Sequence, residues 1–378
     1  MKKKRSALSV ATMTFHLAHN YGAMLQAYAL RHAVRKLGYH CRVLDYRFPY
    51  IHQWSGIHTW KDLLWLDGPL IGTAKHLRRL LHGYYAGQAP AQLKFNRFMR
   101  EKMGLSFKTY FSPDELKKAS YDAILFGSDQ IWNPALTNGL AEEYFGGCFD
   151  SSSTRLIAYA ASCGKDRLPS EYKDQIMSLL GRFHRLSVRE ESLAQTLRQD
   201  GLDVLAMPDP VLLLNTEEWD ALIRNTPPVV SEPYVLIYAF DTGNDVYDIA
   251  RRIAAERNLN CVSVCYKADP ARQDMLQLTD CGPLEFLRLI RDARFVCTTS
   301  FHAEAFSILF EKSFYCIGHP LYSQRNADIL RIVGLEDRMI SSSAAVEQIT
   351  DCDFSNTKAR LEIQRNRAMV FLANAIEG

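Results

Sequence analysis

Residues 8–46, LSVATMTFHLAHNYGAMLQAYALRHAVRKLGYHCRVLDY, carry the reading of the fold. Leu8 to Phe15 reads as a first strand. Ala23, Ala27, Leu30, Val34 and Leu37 then recur with the 3.6-residue period of a helix that buries one face, and Gly38 stands where a left-handed C′ residue is expected. Cys41 to Tyr46 supplies a second strand. Strand, helix and strand in that order form a parallel βαβ unit, the building block of an α/β sheet.

Upstream, Met1-Lys2-Lys3-Lys4-Arg5 imitates the charged start of a signal peptide. The following residues are only weakly apolar and run into His16, His19 and Asn20, so the start reads as a solvated basic leader before a strand. Downstream, residues 50–110 break the alternation with Trp54, Trp60, Trp65, His52, His58, His76, His82, Arg78 and Arg79, and read as a helical insertion. Alternation then resumes, with strands expected at 122–126, 155–160, 185–189 and 203–206 and helices at about 170–182 and 191–200. Asn225 to Pro233 holds three prolines and is the best linker in the chain. A second alternating series follows, with strands at 234–240, 261–265, 295–298 and 314–317 and a last helix at 356–376. The expected architecture is α/β, with two Rossmann-like domains facing across a cleft. The first would span 1–215 with its insertion at about 50–110, the linker 216–233, the second domain 234–335, and a helical tail 336–378. Open parallel sheets bind ligands at the carboxyl ends of their strands, so functional residues should follow strands.

The chain has 378 residues, 47% hydrophobic and 23% charged, which excludes disordered, fibrous and small disulfide-rich classes. A net charge of +3 hides an asymmetry: residues 1–110 hold 18 Lys and Arg against 4 Asp and Glu, and the remaining 268 residues hold 27 against 38. Such a field favours an anionic substrate or membrane surface, or simply draws the two parts together. The nine cysteines are odd in number and lack a Cys-x-x-Cys pair, which fits reduced thiols in a cytoplasmic protein. No uncharged apolar run approaches the roughly 18 residues of a membrane span.

Five strand ends attract attention. Asn20 is a natural N-cap, and Gly22 allows close backbone approach at a helix start suited to an anion, although plain capping explains both. Gly127-Ser128-Asp129-Gln130-Ile131-Trp132-Asn133-Pro134 follows the strand at 122–126. There Gly127 and Ser128 would admit a ligand, Asp129 and Gln130 would bind hydroxyls and Trp132 would stack on a sugar, with a turn around a packed Trp as the plain alternative. Arg189, at the end of the strand 185–188, could grip a carboxylate or phosphate, or pair with a neighbouring Glu. Asp209, between Pro208 and Pro210, reads as a structural cap. Cys297-Thr298-Thr299-Ser300-Phe301-His302 is the sharpest signal. It places His302 in the first turn of an apolar helix, where the helix dipole keeps imidazole neutral and ready for general acid–base work. A structural His is the alternative. Gly-x-Gly-x-x-Gly, Walker, His-Glu-x-x-His and Gly-x-Ser-x-Gly patterns are missing, as is any nucleic-acid signature.

Taken together, the segments Asn20–Leu30, Gly127–Asn133, Ala158–Ser162, Ser187–Glu190, Asp209–Leu213, Ser300–Ala303 and the stretch around Arg325 resemble the polysaccharide pyruvyl transferase family. The resemblance runs from about Thr14 to Arg338, and is weak over 50–110. It implies a fold similar to GT-B glycosyltransferases. It also implies transfer of a pyruvyl group from phosphoenolpyruvate to a saccharide, in exopolysaccharide or cell-envelope synthesis, giving a ketal and phosphate. The family's donor Arg maps onto Arg189 and its catalytic His onto His302. Some members carry Arg where this chain has Ser300, and Arg325 or a basic residue of the N-terminal domain would replace that contact. Donor binding is thus expected from Arg189, Ser300, Arg325, Asn20 and Gly22, and acceptor binding from Gly127, Ser128, Asp129, Gln130 and Trp132. No metal, no cofactor beyond phosphoenolpyruvate as co-substrate and no nucleic acid is expected. The 50–110 insertion would be a lid, or a peripheral contact with the inner face of a membrane where a lipid-linked acceptor lies. Two other classes stay open: a GT-B glycosyltransferase using a nucleotide-sugar, and a saccharide-binding module without turnover.

Overall fold

Strand Ser9–Met13 (β1), helix Tyr21–Lys36 (α1) and strand His40–Tyr46 (β2) form the βαβ unit that the opening stretch predicts. The Asn20 side chain accepts a hydrogen bond from the Ala23 amide at 3.1 Å, and Gly38 at φ +92° ends the helix. The computed structural model of the chain describes residues 8–47, 89–240, 243–318 and 323–378.

Helix Ala89–Lys102 (α2) leads to strand Leu105–Tyr110 (β3), and strands Ala123–Phe126 (β4), Arg155–Ala161 (β5), Arg185–Val188 (β6) and Val204–Ala206 (β7) follow. Helices Lys173–Leu180 (α3) and Glu191–Gln199 (α4) cross between the later strands. The first sheet has the order β3-β2-β1-β4-β5-β6-β7, and its paired strands are parallel. Its central strands are continuous apolar runs, as expected where both faces of a parallel sheet are covered; Ala123, Ile124, Leu125 and Phe126 are all buried.

Helix Thr216–Ile223 (α5) precedes the second series: strand Tyr234–Tyr238 (β8), helix Asp245–Arg257 (α6), strands Asn260–Val264 (β9) and Leu276–Leu278 (β10), helix Pro283–Asp292 (α7) and strand Phe295–Thr298 (β11). Helix Phe301–Leu309 (α8), strand Phe314–Ile317 (β12), helix Ser323–Val333 (α9), strand Met339–Ile340 (β13) and helix Thr357–Glu377 (α10) complete it. The second sheet is parallel, in the order β10-β9-β8-β11-β12-β13. Strand order reverses between β1 and β4 in one sheet and between β8 and β11 in the other, so the carboxyl ends of those pairs are the two switch points.

The described residues divide into two compact units. One takes in 8–47, 99–214 and 363–378, and the other 89–98 and 215–362. Three boundaries differ from the sequence expectation. Residues 216–223, expected in the linker, are the helix α5. Asn215 and Glu218 close a capping box there, and fully buried Trp219 packs edge-on against Phe306 at 4.9 Å. Residues 105–110, expected in the helical insertion, are the edge strand β3. Its alternation is masked by Phe107, 91% exposed, whose ring is covered by the Arg42 guanidinium at 3.7 Å. The tail does not form a separate body: Arg365 donates to the carbonyls of Leu212 and Leu214 at 3.1 and 3.2 Å, and Phe371 meets Tyr159 in the first unit. The remainder of the insertion, 48–88 with Trp54, Trp60 and Trp65, lies outside the described residues. Among the described residues no helix is long and apolar enough to cross a membrane.

Candidate functional site

At the switch point of the first sheet the turn after β4 is built around Gly127. Its φ is +123°, and a Cβ there would stand 2.2 Å from the Tyr159 carbonyl oxygen, so only glycine fits. The close approach it permits is to the neighbouring strand β5, which replaces the ligand approach expected of it. Ser128, next along, is fully buried. Its amide donates to Gln26 Oε1 at 3.1 Å, its carbonyl accepts from Thr14 Oγ1 at 2.9 Å and its hydroxyl donates to the Ala160 carbonyl at 2.7 Å. Gln26 Nε2 returns to Thr14 Oγ1 at 2.8 Å. Ser128 is therefore a joint between β1, α1, β4 and β5 and not an acceptor contact. Asp129 and Ala160 both hold positive φ, at 72° and 46°, a conformation costly for non-glycine residues and concentrated at functional edges.

Trp132 also departs from expectation. It is 1% exposed, stacks on Phe145 at 5.3 Å and donates its indole N–H to the Tyr144 carbonyl at 3.0 Å. Its ring faces are core surface, and the stacking role on a sugar falls away. Gln130 accepts from Asn133 Nδ2 at 2.8 Å and Asp129 from the Gln130 amide at 2.8 Å; of the five acceptor candidates these two alone are only partly buried.

Arg189, at the end of β6, does not present its guanidinium to an outside anion. The side chain is 3% exposed; Nε donates to Glu190 Oε1 at 3.1 Å and Nη1 to Asp209 Oδ2 at 3.0 Å. Burial works against its charge, and the two carboxylates outweigh that and hold it protonated. Glu190 Oε1 also accepts from Ser162 Oγ at 2.7 Å, and Asp209 caps the following turn by accepting from the Val211 amide at 3.1 Å. The network thus links the carboxyl ends of β5, β6 and β7. Asn20 spends its side chain on capping, and Gly22 is buried in the first turn of α1. Nearby, His16, Asp45 and Arg47 form a second buried cluster. Asp45 Oδ1 lies 3.2 Å from His16 Nε2 and 2.7 Å from Arg47 Nε, which together hold the Asp45 carboxyl well below its usual range despite burial.

In the second unit the switch point is closed by hydroxyls. Thr298 Oγ1 donates to the Tyr238 carbonyl and accepts from the Ser300 amide at 2.9 Å, and Thr299 Oγ1 accepts from the Phe240 amide at 3.1 Å. Ser300 is the N-cap of α8 and makes no side-chain capping bond, so it leaves the first amides of the helix to other partners. His302 is 9% exposed and sits in the first helical turn. Two residues on, Glu304 is fully buried. Asn326 of α9 donates to its Oε2 and to Cys316 Sγ, while Oε1 has no hydrogen-bond partner among the described residues. Burial pushes the Glu304 carboxyl up to about 8, against the opposing pull of Cys316, Asn326 and Arg325.

The folded state therefore binds a proton at Glu304 that the unfolded chain, with its ordinary 4.5, has lost. Stability from this group is complete below about pH 4.5 and is lost as pH rises through about 8. Glu304→Gln, which keeps the oxygen facing Asn326 and does not titrate, should gain stability over the wild type as pH rises from 5 to 8.5. The gain should be on the order of a few kcal/mol in urea unfolding. A difference independent of pH would show that the carboxyl is ionised in the fold.

Sequence reasoning reached His302, Ser300, the Gly127 turn and the capping role of Asp209, but missed the pairing of Asp209 with Arg189 and the roles of Thr14, Gln26, Ser162, Glu304 and Asn326. Gln26 and Glu304 are polar side chains inside otherwise apolar helical faces, and that was the available signal. Among the described residues no group of three His, Cys, Asp or Glu side chains is disposed to hold a metal.

Two parallel sheets of Rossmann order with helices define an α/β protein of GT-B-like fold. The chain is similar to UDP-N-acetylglucosamine 2-epimerase from Rickettsia bellii at 11% identity and a TM-score of 0.50, covering 97% of this chain and 94% of that one. The Methanocaldococcus jannaschii UDP-GlcNAc 2-epimerase, solved with UDP-GlcNAc and UDP, is also similar at 11% identity, 95% and 99% coverage and a TM-score of 0.48. No curated protein matches the chain. The family model for polysaccharide pyruvyl transferase matches residues 20–320, and the chain belongs to that family.

Proposed function

We propose that the protein transfers the pyruvyl group of phosphoenolpyruvate to two hydroxyls of a saccharide, forming a ketal and releasing phosphate. Family membership supports pyruvyl transfer in polysaccharide synthesis. The observation that carries the chemistry is His302 in the first turn of α8, behind a strand end, where the helix N-terminus suits an anion and imidazole can exchange a proton.

The reaction balances simply. Protonating the methylene carbon of the donor makes the phosphate-bearing carbon electrophilic. One sugar hydroxyl adds there, phosphate leaves, and the second hydroxyl closes the ketal. The carbon gains one proton, the hydroxyls give up two, and the phosphate departs with the difference. His302 is the group to deliver and collect these protons. With Arg189 internally paired, the donor's negative charge falls to the α8 amides, with Arg325 of α9 and Ser300 nearby in the chain as the remaining donor-binding candidates. Asp129 and Gln130 are the remaining acceptor candidates of the first unit. The acceptor is a saccharide of the polysaccharide precursor class, lipid-linked if the insertion meets a membrane, and the setting is cytoplasmic.

Calorimetric titration tests the donor. Phosphoenolpyruvate should bind and UDP-sugars should not; the reverse result would replace this reading with a nucleotide-sugar glycosyltransferase.

A further inference from the structure

Trp132 is core, which leaves the question of what a sugar ring would lie against. The second unit answers it at its own switch point. Fully buried Phe286 supports Tyr238, 2% exposed, with ring centroids 4.9 Å apart. Tyr238 in turn supports Phe240, just beyond the end of β8, at 5.1 Å. The Tyr266 side chain, just beyond β9, meets Tyr238 from the neighbouring strand. The two outer rings are open: Phe240 is 53% exposed and Tyr266 43%. Exposed aromatics standing singly need no explanation, but these two share one buried support at the edge where such sheets bind ligands. The Phe240 amide is held by Thr299 Oγ1 at 3.1 Å, three residues before His302, so Phe240 stands beside the turn that opens α8, with Tyr266 on the side of β9.

We propose that Phe240 and Tyr266 form the platform on which the acceptor saccharide stacks. A pyranose presents an apolar C–H face and a rim of hydroxyls, and a half-exposed aromatic pair at the carboxyl edge of the sheet, with Phe240 beside a polar helix start, offers the matching surfaces. The assignment rests on the pyruvyl transfer reading for the acceptor's identity, while the stacking itself is testable without the donor.

Ligand-observed saturation-transfer NMR with methyl β-D-galactopyranoside and methyl β-D-glucopyranoside, run without phosphoenolpyruvate, reads the platform directly. The full-length wild type should give ring C–H signals with at least one glycoside, and Phe240→Ala/Tyr266→Ala should bind it about tenfold more weakly. Tyr266→Phe, which keeps the ring, should bind like the wild type, and circular dichroism should show all variants folded. Unchanged binding in the double alanine variant, or no glycoside signal from the wild type, overturns the platform. A double variant that loses uridine nucleotide binding in place of glycoside binding overturns it in favour of a base-stacking site. Glycoside binding that depends on both rings, with no phosphate released from phosphoenolpyruvate, leaves the platform standing and removes the pyruvyl transfer reading.

Discussion

His302→Ala should lower phosphate release from phosphoenolpyruvate plus acceptor by about 10²- to 10⁴-fold, the range of a lost general acid–base group. The side chain stands at the carboxyl edge of the second sheet, in the first turn of α8, and its neighbours in the turn are hydroxyls and amides already bonded to one another. The other ionisable side chain of that turn, Glu304, is fully buried and bonded to Asn326. The deficit should lie in kcat more than in KM, because on the proposed reading the donor's charge is met by the backbone amides of α8 itself, which the substitution keeps. Near-normal turnover in His302→Ala would remove the catalytic role. A loss confined to KM would recast the residue as a donor contact.

Arg189→Ala should destabilise the protein by about 3–5 kcal/mol, the usual consequence of leaving buried charges without their partner. Glu190 and Asp209, both under 5% exposed, would face each other across the space that the guanidinium fills. The same substitution separates two roles. As a structural centre, Arg189 sets chemical-denaturation stability, and the remaining folded fraction binds phosphoenolpyruvate normally. As a donor anchor it would leave stability unmoved and abolish binding. The two carboxylates at 3.1 and 3.0 Å favour the first outcome. Arg189→Lys should recover little, since one ammonium cannot reproduce two divergent hydrogen bonds.

The pairing of Arg189 shows where sequence reasoning stops. The strand end was legible, because an apolar run followed by a polar turn is a local pattern. Of its two partners the neighbouring Glu190 was legible and Asp209 was not, because Asp209 is twenty residues away, beyond the end of β7, and only strand pairing brings its carboxylate to Nη1. Trp132 fails in the same way. Its turn was correctly read, but whether an aromatic in a turn faces solvent or core depends on Phe145 and Tyr144, which arrive from a later segment. Phe240 is the converse case: it ends an ordinary strand, and only its place above Tyr238 and beside Thr299 distinguishes it.

Hydrophobic periodicity by itself determined the βαβ units, the parallel character of both sheets and the position of His302 behind a strand, because periodicity is local and the alternation of strand and helix along the chain dictates parallel pairing. Tertiary structure alone decided which polar groups are spent on the fold. Burial and pairing are properties of distant segments meeting, and a buried Arg between two carboxylates has the same local sequence as one waiting for a substrate. The opening stretch illustrates both halves. Its strands and helix stand where their pattern puts them, and its Gln26 and Thr14, unremarked there, turn out to hold the Ser128 turn in place.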